Sequence, residues 1–357
     1  MFRIEMLPAY HGDAIWLEWG DSRKPNRLLI DAGLVGTYTA IVNRAGERCR
    51  LELFCVTHVD QDHVEGAAKL LANVPKGMDI REVWFNGWDQ VSGAKRLGAV
   101  QGEKLGAAIV NHAGVKWNSS FDEKAVFVPA DGTLPECSVE GGLTLTVLSP
   151  RTEELDALKP VWKKECVKAG LIPGNIEEAE EALQQDSKLH PGRLGKSVAV
   201  EELASEAYEA DPSPANGSSI ALLAEHDGKS VLLGADAHSD VLEANLRRLL
   251  DARGEGKLKV DAVKVCHHGS KYNSSPALIE MLNCPRWLLS SNGDKFHHPD
   301  RETIARILFS RRKDETELYF NYRSQYNEIW DADGLQRDWH YRAAYPKSEQ
   351  GGIVVDL

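Results

Sequence analysis

Four residues able to bind a metal fall within a six-residue window in the run Val56-Thr57-His58-Val59-Asp60-Gln61-Asp62-His63. Imidazole and carboxylate donors together suit Zn²⁺ or Mn²⁺, and such a cation makes hydroxide available near neutral pH. Alternation through the loop sends His58 and Asp60 one way, while the start of a helix sends Asp62 and His63 another. One segment can therefore serve two adjacent metals. A helix cap at Asp62 and a turn at Asp60 would account for the carboxylates. Both histidines would then have no role.

Three later runs repeat the pattern of an apolar stretch ending in polar ligands. Val231-Leu232-Leu233-Gly234-Ala235-Asp236 ends in a carboxylate, and Val263-Lys264-Val265-Cys266-His267-His268-Gly269-Ser270 ends in paired imidazoles. Ser290-Ser291-Asn292-Gly293-Asp294-Lys295-Phe296-His297-His298-Pro299 adds more imidazoles ahead of another helix. Each run taken alone has a structural explanation, as a helix cap or a packed histidine pair. All four fall at the ends of strands in one alternating pattern, which points to a binuclear His/Asp metal site in an α/β crevice.

The elements that must position these ligands follow from hydrophobic spacing. Strands are expected at Phe2–Met6, 14–19, 27–30 and 51–57, the first three close enough to pair antiparallel. Helical spacing covers 38–48 and 63–74. Further strands are expected at 81–86, 124–129 and 143–148, with a Gly/Ala-rich helical stretch between the first two. A hairpin spans 219–225 and 230–233; then come helix 239–250, strand 262–266, helix 276–282, strand 287–290 and helix 301–311. The last residues, 353–355, read as a strand. Residues 151–215 differ: they carry 8 Lys/Arg against 14 Asp/Glu and read as an acidic helical insertion within one domain spanning 1–357. Residues 312–357 form an aromatic-rich C-terminal extension expected to pack on the core.

The 357 residues hold 42 Lys+Arg and 54 Asp+Glu, a net charge of −12. That balance argues against a protein that grips nucleic acid by bulk charge. About half the excess lies in the 151–215 segment, away from the motif loops, so a cleft confined to the ligand loops could still accept a phosphodiester. No apolar run approaches the roughly 20 residues of a membrane-spanning helix. The first residues alternate like a strand and lack the features of a signal peptide. Six scattered cysteines without a CxxC pair fit a reducing compartment and exclude a cysteine zinc knuckle. The expectation is a cytoplasmic protein without membrane contact.

With these residues in view, the chain resembles the metallo-β-lactamase fold superfamily. His58-Val59-Asp60-Gln61-Asp62-His63 resembles its HxHxDH signature, with Asp60 in place of the second His. Within that superfamily it is most similar to the hydrolase domain of the ComEC/Rec2 competence proteins. The supporting runs are Tyr10-His11-Gly12-Asp13-Ala14, Leu28-Leu29-Ile30-Asp31-Ala32-Gly33, Asn216-Gly217-Ser218-Ser219 with Leu233-Gly234-Ala235-Asp236, His267-His268-Gly269-Ser270 and His298-Pro299. The motifs occur in the family's order over roughly 1–150 and 215–310. The channel of the competence proteins is missing, so DNA import is not implied.

The resemblance implies a four-layer αβ/βα sandwich carrying the helical insertion, and one or two Zn²⁺ per chain. His58, Asp60 and Asp236 would hold the first metal; Asp62, His63, Asp236 and His268 would hold the second, with Asp236 bridging. His268 is favoured over His267 because many relatives have Gly-His-Gly there. Relatives with a full first site supply another His, whereas the corresponding strand here ends in Leu148-Ser149-Pro150. That site is therefore expected to bind weakly, to take Mn²⁺ or Mg²⁺, or to stay empty. Asp13 and Asp31 would orient the ligand imidazoles. Asp62, His267 and His298 are the candidate catalytic groups, and Ser270, Lys271 and Asn292 the candidate phosphate contacts, with Lys264, Lys295 and Arg301 as further cations near the loops. The implied activity is phosphodiester hydrolysis, most of all of nucleic acid. A small ester, lactone or phosphorylcholine-type substrate is the alternative, and a metal-stabilised interaction module a third, with 151–215 as a surface for a protein partner.

Overall fold

The computed structural model describes residues 1–92, 100–112, 114–168 and 198–357. Among them, two large sheets dominate. The first orders its seven strands as Ile353–Asp356, Phe2–Met6, Ile15–Asp21, Lys24–Ile30, Leu53–Cys55, Glu82–Trp84 and Lys116–Trp117. The second orders eight: Tyr341–Ala344, Thr316–Phe320, Arg286–Leu289, Ala262–Lys264, Lys229–Leu233, Ala221–His226, Leu143–Ser149 and Glu136–Val139.

Most central strands are apolar on both faces, as expected where a sheet is covered on both sides. Leu17, Leu28, Cys55 and Trp84 of the first sheet share one buried cluster with Leu145, Leu222, Val231 and Leu288 of the second. The alternate residues face outward. Trp16, Leu29, Phe54 and Val83 pack against Val64, Leu70, Leu105 and Trp162 from the helices Gln61–Ala72, Val100–Asn111 and Thr152–Lys168. On the other side, Leu223, Leu232, Val263 and Leu318 pack against Leu242, Leu246, Ile304 and Ile307 of Ser239–Arg253 and Arg301–Ser310. Helix, sheet, sheet, helix: this is the four-layer αβ/βα arrangement expected from the sequence.

The first three strands pair antiparallel as anticipated. The strand expected at 51–57 is two short pieces, Cys49–Leu51 and Leu53–Cys55, because each pairs into a different sheet. Residues 124–129 form no strand; Val128 makes a single bridge to Arg151. The C-terminal residues enter both sheets: Thr316–Phe320 and Tyr341–Ala344 extend the second by parallel pairing, and Ile353–Asp356 closes the edge of the first. Of the acidic segment 151–215, residues 169–197 lie outside the described residues. No described helix is long and apolar enough to cross a membrane, and all six cysteines are free thiols.

Candidate metal centre

The ligand runs meet because they leave parallel strands at the same edge of the sandwich. Lys24–Ile30 and Leu53–Cys55 run parallel and deliver Asp31, Thr57 and His58. In the facing sheet, Lys229–Leu233, Ala262–Lys264 and Arg286–Leu289 run parallel and deliver Asp236, His267, His268 and Ser290. The backbone turns sharply there. Asp31, Ala235, His267, His268 and His297 all have left-handed φ, between 44° and 65°. Such conformations cost about 1–3 kcal/mol each in non-glycine residues and persist where the surroundings hold them. Two glycines are fixed by contact alone: a Cβ on Gly12 would lie 1.9 Å from the Asp62 carbonyl oxygen, and one on Gly66 1.9 Å from that of Ala32.

Three overlapping groups of buried side chains have metal-ligand spacing: His58, His63 and Asp236; Asp62, His63 and His268; Asp13, Asp236 and His268. Asp236 Oδ2 lies 3.8 Å from His58 Nε2, 3.4 Å from His63 Nε2 and 3.8 Å from His268 Nε2. His268 Nε2 is 3.2 Å from His63 Nε2 and 3.6 Å from Asp62 Oδ2. The shared position expected of Asp236 is thus present in the geometry, and His63 is shared too.

The outer nitrogens fix each imidazole. His63 Nδ1 donates to Asp31 Oδ2 at 2.8 Å, His58 Nδ1 to Thr57 Oγ1 at 3.0 Å, and His268 Nδ1 to the Ser290 carbonyl at 2.9 Å. All three rings therefore turn Nε2 inward as a lone-pair donor. Thr57 was not singled out by sequence, yet its hydroxyl donates to Asp31 Oδ2 at 2.8 Å, tying both histidines to one carboxylate.

The electrostatics favour a cation. Burial would push Asp236 up and His63 down, but their mutual attraction reverses both: Asp236 falls well below the carboxylate range and His63 rises well above the usual imidazole value. Burial likewise opposes the charge on His268, which Asp13 and Asp236 nevertheless raise to about 9. Desolvation also works against ionised Asp62, and His268 and His63 hold it low. Without a metal, protons on imidazoles offset the carboxylates; a divalent cation would take their place. His58 Nε2 and Asp236 Oδ1 are buried without a hydrogen-bond partner, an expensive state that ligation would relieve. The residues present fit Zn²⁺ or Mn²⁺.

Asp60 stands apart from these groups. It occupies the N-cap position of helix Gln61–Ala72 without a side-chain cap bond, is 43% exposed, and lies 3.7 Å from His58 Nε2. Its Oδ2 nevertheless approaches His58 as closely as Asp236 Oδ2 does, the latter lying 3.8 Å from His58 Nε2. Among the described residues no further histidine joins His58: His226 bonds the Gly142 carbonyl at the far end of its strand, and His190 lies outside the described residues. Asp13 and Asp31 sit behind the histidines as expected, Asp13 Oδ1 at 3.5 Å from His268 Nδ1.

His267 does face the cluster, with Nε2 3.7 Å from Asp236 Oδ2 and Nδ1 2.8 Å from Asn273 Oδ1. Asp211, another residue the sequence reading missed, lies 3.6 Å from that Nδ1 and accepts from Asn216 and Asn273. Burial opposes protonation of His267, but Asp236 and Asp211 raise it above the usual value. The His298 ring is 5.4 Å from that of His267, and burial lowers its pKa despite Asp300. His298 Nδ1 lies 3.6 Å from Asp300 Oδ2.

The candidate phosphate contacts fare worse. Lys264 is 1% exposed and paired with Asp13. Lys271 Nζ donates to Glu302 at 2.7 Å, Asn292 Nδ2 to Asp294 at 2.6 Å, and buried Ser270 Oγ accepts from the Tyr272 amide. The partners of Asn292 and Ser270 are two residues away in their own loops, whereas those of Lys264 and Lys271 are distant along the chain. Lys295 lies over the Phe296 ring.

Two solved structures are similar to the chain over its full length. One is a mutant of the CmlA beta-hydroxylase, at 12% identity and TM-score 0.38, of which the chain spans 54%. The other is Tm1679, a metal-dependent hydrolase of the beta-lactamase superfamily, at 10% identity and TM-score 0.37, with 99% of that chain covered. No family model matches the chain, and no curated protein matches it. Similarities this distant carry no statement about substrate.

Proposed function

We propose that this protein is a metal-dependent hydrolase acting on phosphodiesters. The observation that supports it is the inward convergence of His58, His63 and His268 on Asp236 and Asp62, with His267 at the edge of the same cluster. His58, His63, Asp236, Asp62 and His268 would hold one or two divalent cations. A bound Zn²⁺ or Mn²⁺ supplies Lewis acidity and hydroxide at neutral pH.

The chain's own groups supply the rest. Asp31 and Thr57 keep the ligand imidazoles oriented. Asp62, on the first turn of its helix, is the carboxylate placed to accept a proton from the attacking water. His267, held by Asn273 and Asp211 and with its pKa raised by Asp236 and Asp211, is the group placed to protonate the departing oxygen. His298, its ring 5.4 Å from that of His267, is a second imidazole at the edge of the cluster.

A small diester or nucleotide substrate is favoured over long duplex DNA, because Lys264 and Lys271 are engaged in internal ion pairs. With a net charge of −12, affinity for a polyanion would be weak and confined to the cleft. The test is incubation of the full chain with Zn²⁺, Mn²⁺ or Mg²⁺ and bis(p-nitrophenyl) phosphate, a cyclic or linear dinucleotide, plasmid DNA, and a lactone and phosphorylcholine ester. Turnover of the diesters supports this reading. Turnover of the lactone or phosphorylcholine ester alone would move the assignment to the second substrate class. Metal binding without any turnover would leave an interaction module.

A further inference from the structure

A lysine buried between two sheets is tolerated only when its charge is paired and its hydrogens are bonded. Lys264 meets that condition, with Nζ donating to Asp13 Oδ2 at 2.7 Å and to the Val265 carbonyl at 3.1 Å. The two residues belong to different halves of the sandwich. Lys264 ends a strand of the second sheet, and Asp13 sits on the loop between the first two strands of the first. Asp13 is 2% exposed, and its other oxygen, Oδ1, has no hydrogen-bond partner. That oxygen lies 3.5 Å from His268 Nδ1. On the far side of the same ring, Nε2 meets His63, Asp62 and Asp236.

The residues thus form a line from ammonium to carboxylate to imidazole to ligand cluster. The geometry points to Lys264 as a positioning residue: through Asp13 it holds the His268 ring so that Nε2 faces the cation. This rests on the metal reading of the site. The Ser290 carbonyl fixes which nitrogen of His268 carries the proton, but one carbonyl leaves the ring free to tilt about that bond. Asp13 supplies the second contact, and Lys264 determines where Asp13 points. Without the ammonium, Oδ2 loses its partner, and the carboxylate is free to turn away from the His268 ring. A lysine serving only as a strut between the sheets would affect stability alone.

The experiment compares the full-length protein with Lys264→Met, Lys264→Gln, Asp13→Asn and the double variant Lys264→Met/Asp13→Asn. Zn²⁺ is titrated against a chromophoric chelator, and the Tm of each metal-free protein is measured alongside. Orienting partners behind metal ligands are worth about 10- to 100-fold in affinity. Lys264→Met is therefore expected to weaken Zn²⁺ binding at least tenfold. Lys264→Gln, which keeps a donor and loses the charge, should fall between it and the parent. The double variant should be weaker than Lys264→Met by less than the Asp13→Asn factor alone, because both act through one contact. Should Lys264→Met fail to fold, Lys264→Gln and Asp13→Asn decide the matter. Zn²⁺ affinity within threefold of the parent in every folded variant, with only Tm reduced, overturns the inference. A parent protein that binds no Zn²⁺ refutes the metal reading itself, a result distinct from equal binding by parent and variants.

Discussion

Asp31→Asn is the most informative single change at the centre. Asp31 is fully buried and accepts three hydrogen bonds, all at 2.8 Å: from the Thr57 amide on Oδ1, and from the Thr57 hydroxyl and His63 Nδ1 on Oδ2. Its φ of 55° suits asparagine, which visits the left-handed region more readily than most residues, so the backbone adds no penalty. Asparagine keeps one oxygen for the Thr57 amide but turns an NH₂ toward the other two donors. His63 must then accept at Nδ1 and carry its proton on Nε2, pointing into the cluster. The Thr57 hydroxyl must accept from the new amide and donate to His58 Nδ1, which flips that ring as well. Two of the three inward lone pairs are lost together. Metal affinity should fall toward the upper end of the 10- to 100-fold range for such partners, about 2.7 kcal/mol at hundredfold. Losing a charge-assisted bond costs the metal-free protein about 1.5–3 kcal/mol in addition. Zn²⁺ competition titration reads the first effect, denaturant unfolding of the metal-free protein the second, and long-range ¹H–¹⁵N spectra of the imidazoles the tautomers. Thr57→Val disturbs only the His58 arm and should cost about tenfold. Parental Zn²⁺ affinity in Asp31→Asn, or unflipped tautomers, would refute the reasoning.

Further expected outcomes concern the cleft and its supports. His267→Gln should leave the metal-to-chain ratio unchanged while lowering kcat by about 10²- to 10⁴-fold, the usual share of a proton donor, in steady-state assays on bis(p-nitrophenyl) phosphate. Asp60→Asn should shift Zn²⁺ affinity by less than about threefold, because the carboxylate is exposed and outside the ligand groups. Gly66→Ala forces a Cβ onto the Ala32 carbonyl and should destabilise the fold by at least about 1–3 kcal/mol, measured by chemical unfolding. Metal binding should release protons at pH 7 and weaken as pH falls, since raised pKa values mean that His63 and His268 (the latter at about 9) hold protons which the cation displaces. Calorimetry in buffers of different ionisation enthalpy counts those protons. Their absence would contradict the charge balance described for the cluster.

Much of this centre was legible because its chemistry is concentrated at strand ends, where an apolar run breaking into His and Asp is conspicuous. His58, Asp62, His63, Asp236 and His268 all came from that one pattern. Asp60 shows its limit: residue type and alternation marked it as a ligand, and it lies beside His58 yet belongs to none of the three buried ligand groups. Lys264 shows another. A lysine after two strand residues reads as a surface cation, and nothing local discloses a carboxylate 251 positions away. Thr57, Asn273 and Asp211 escaped for the same reason, as ordinary polar residues that acquire roles only through neighbours brought in by folding. Of the fold, helix limits were read to within a few residues from their spacing. The short strands Met78–Ile80, Lys116–Trp117, Leu258–Lys259 and Leu282–Asn283 were missed, as were Glu136–Val139, Thr316–Phe320 and Tyr341–Ala344. The latter two lie in an aromatic stretch that reads as a packed tail, and only the parallel pairing of Thr316–Phe320 with Arg286–Leu289 shows it continuing the sheet.

The central claim is that this cluster hydrolyses phosphodiesters only with a divalent cation in place. Its most direct test is bis(p-nitrophenyl) phosphate hydrolysis by the full chain after exhaustive chelation, followed by stepwise return of Zn²⁺ or Mn²⁺. The chelated protein should show no turnover, with recovery that saturates at one or two equivalents of metal per chain. Turnover indifferent to the chelator, or none at all with metal bound, would contradict it.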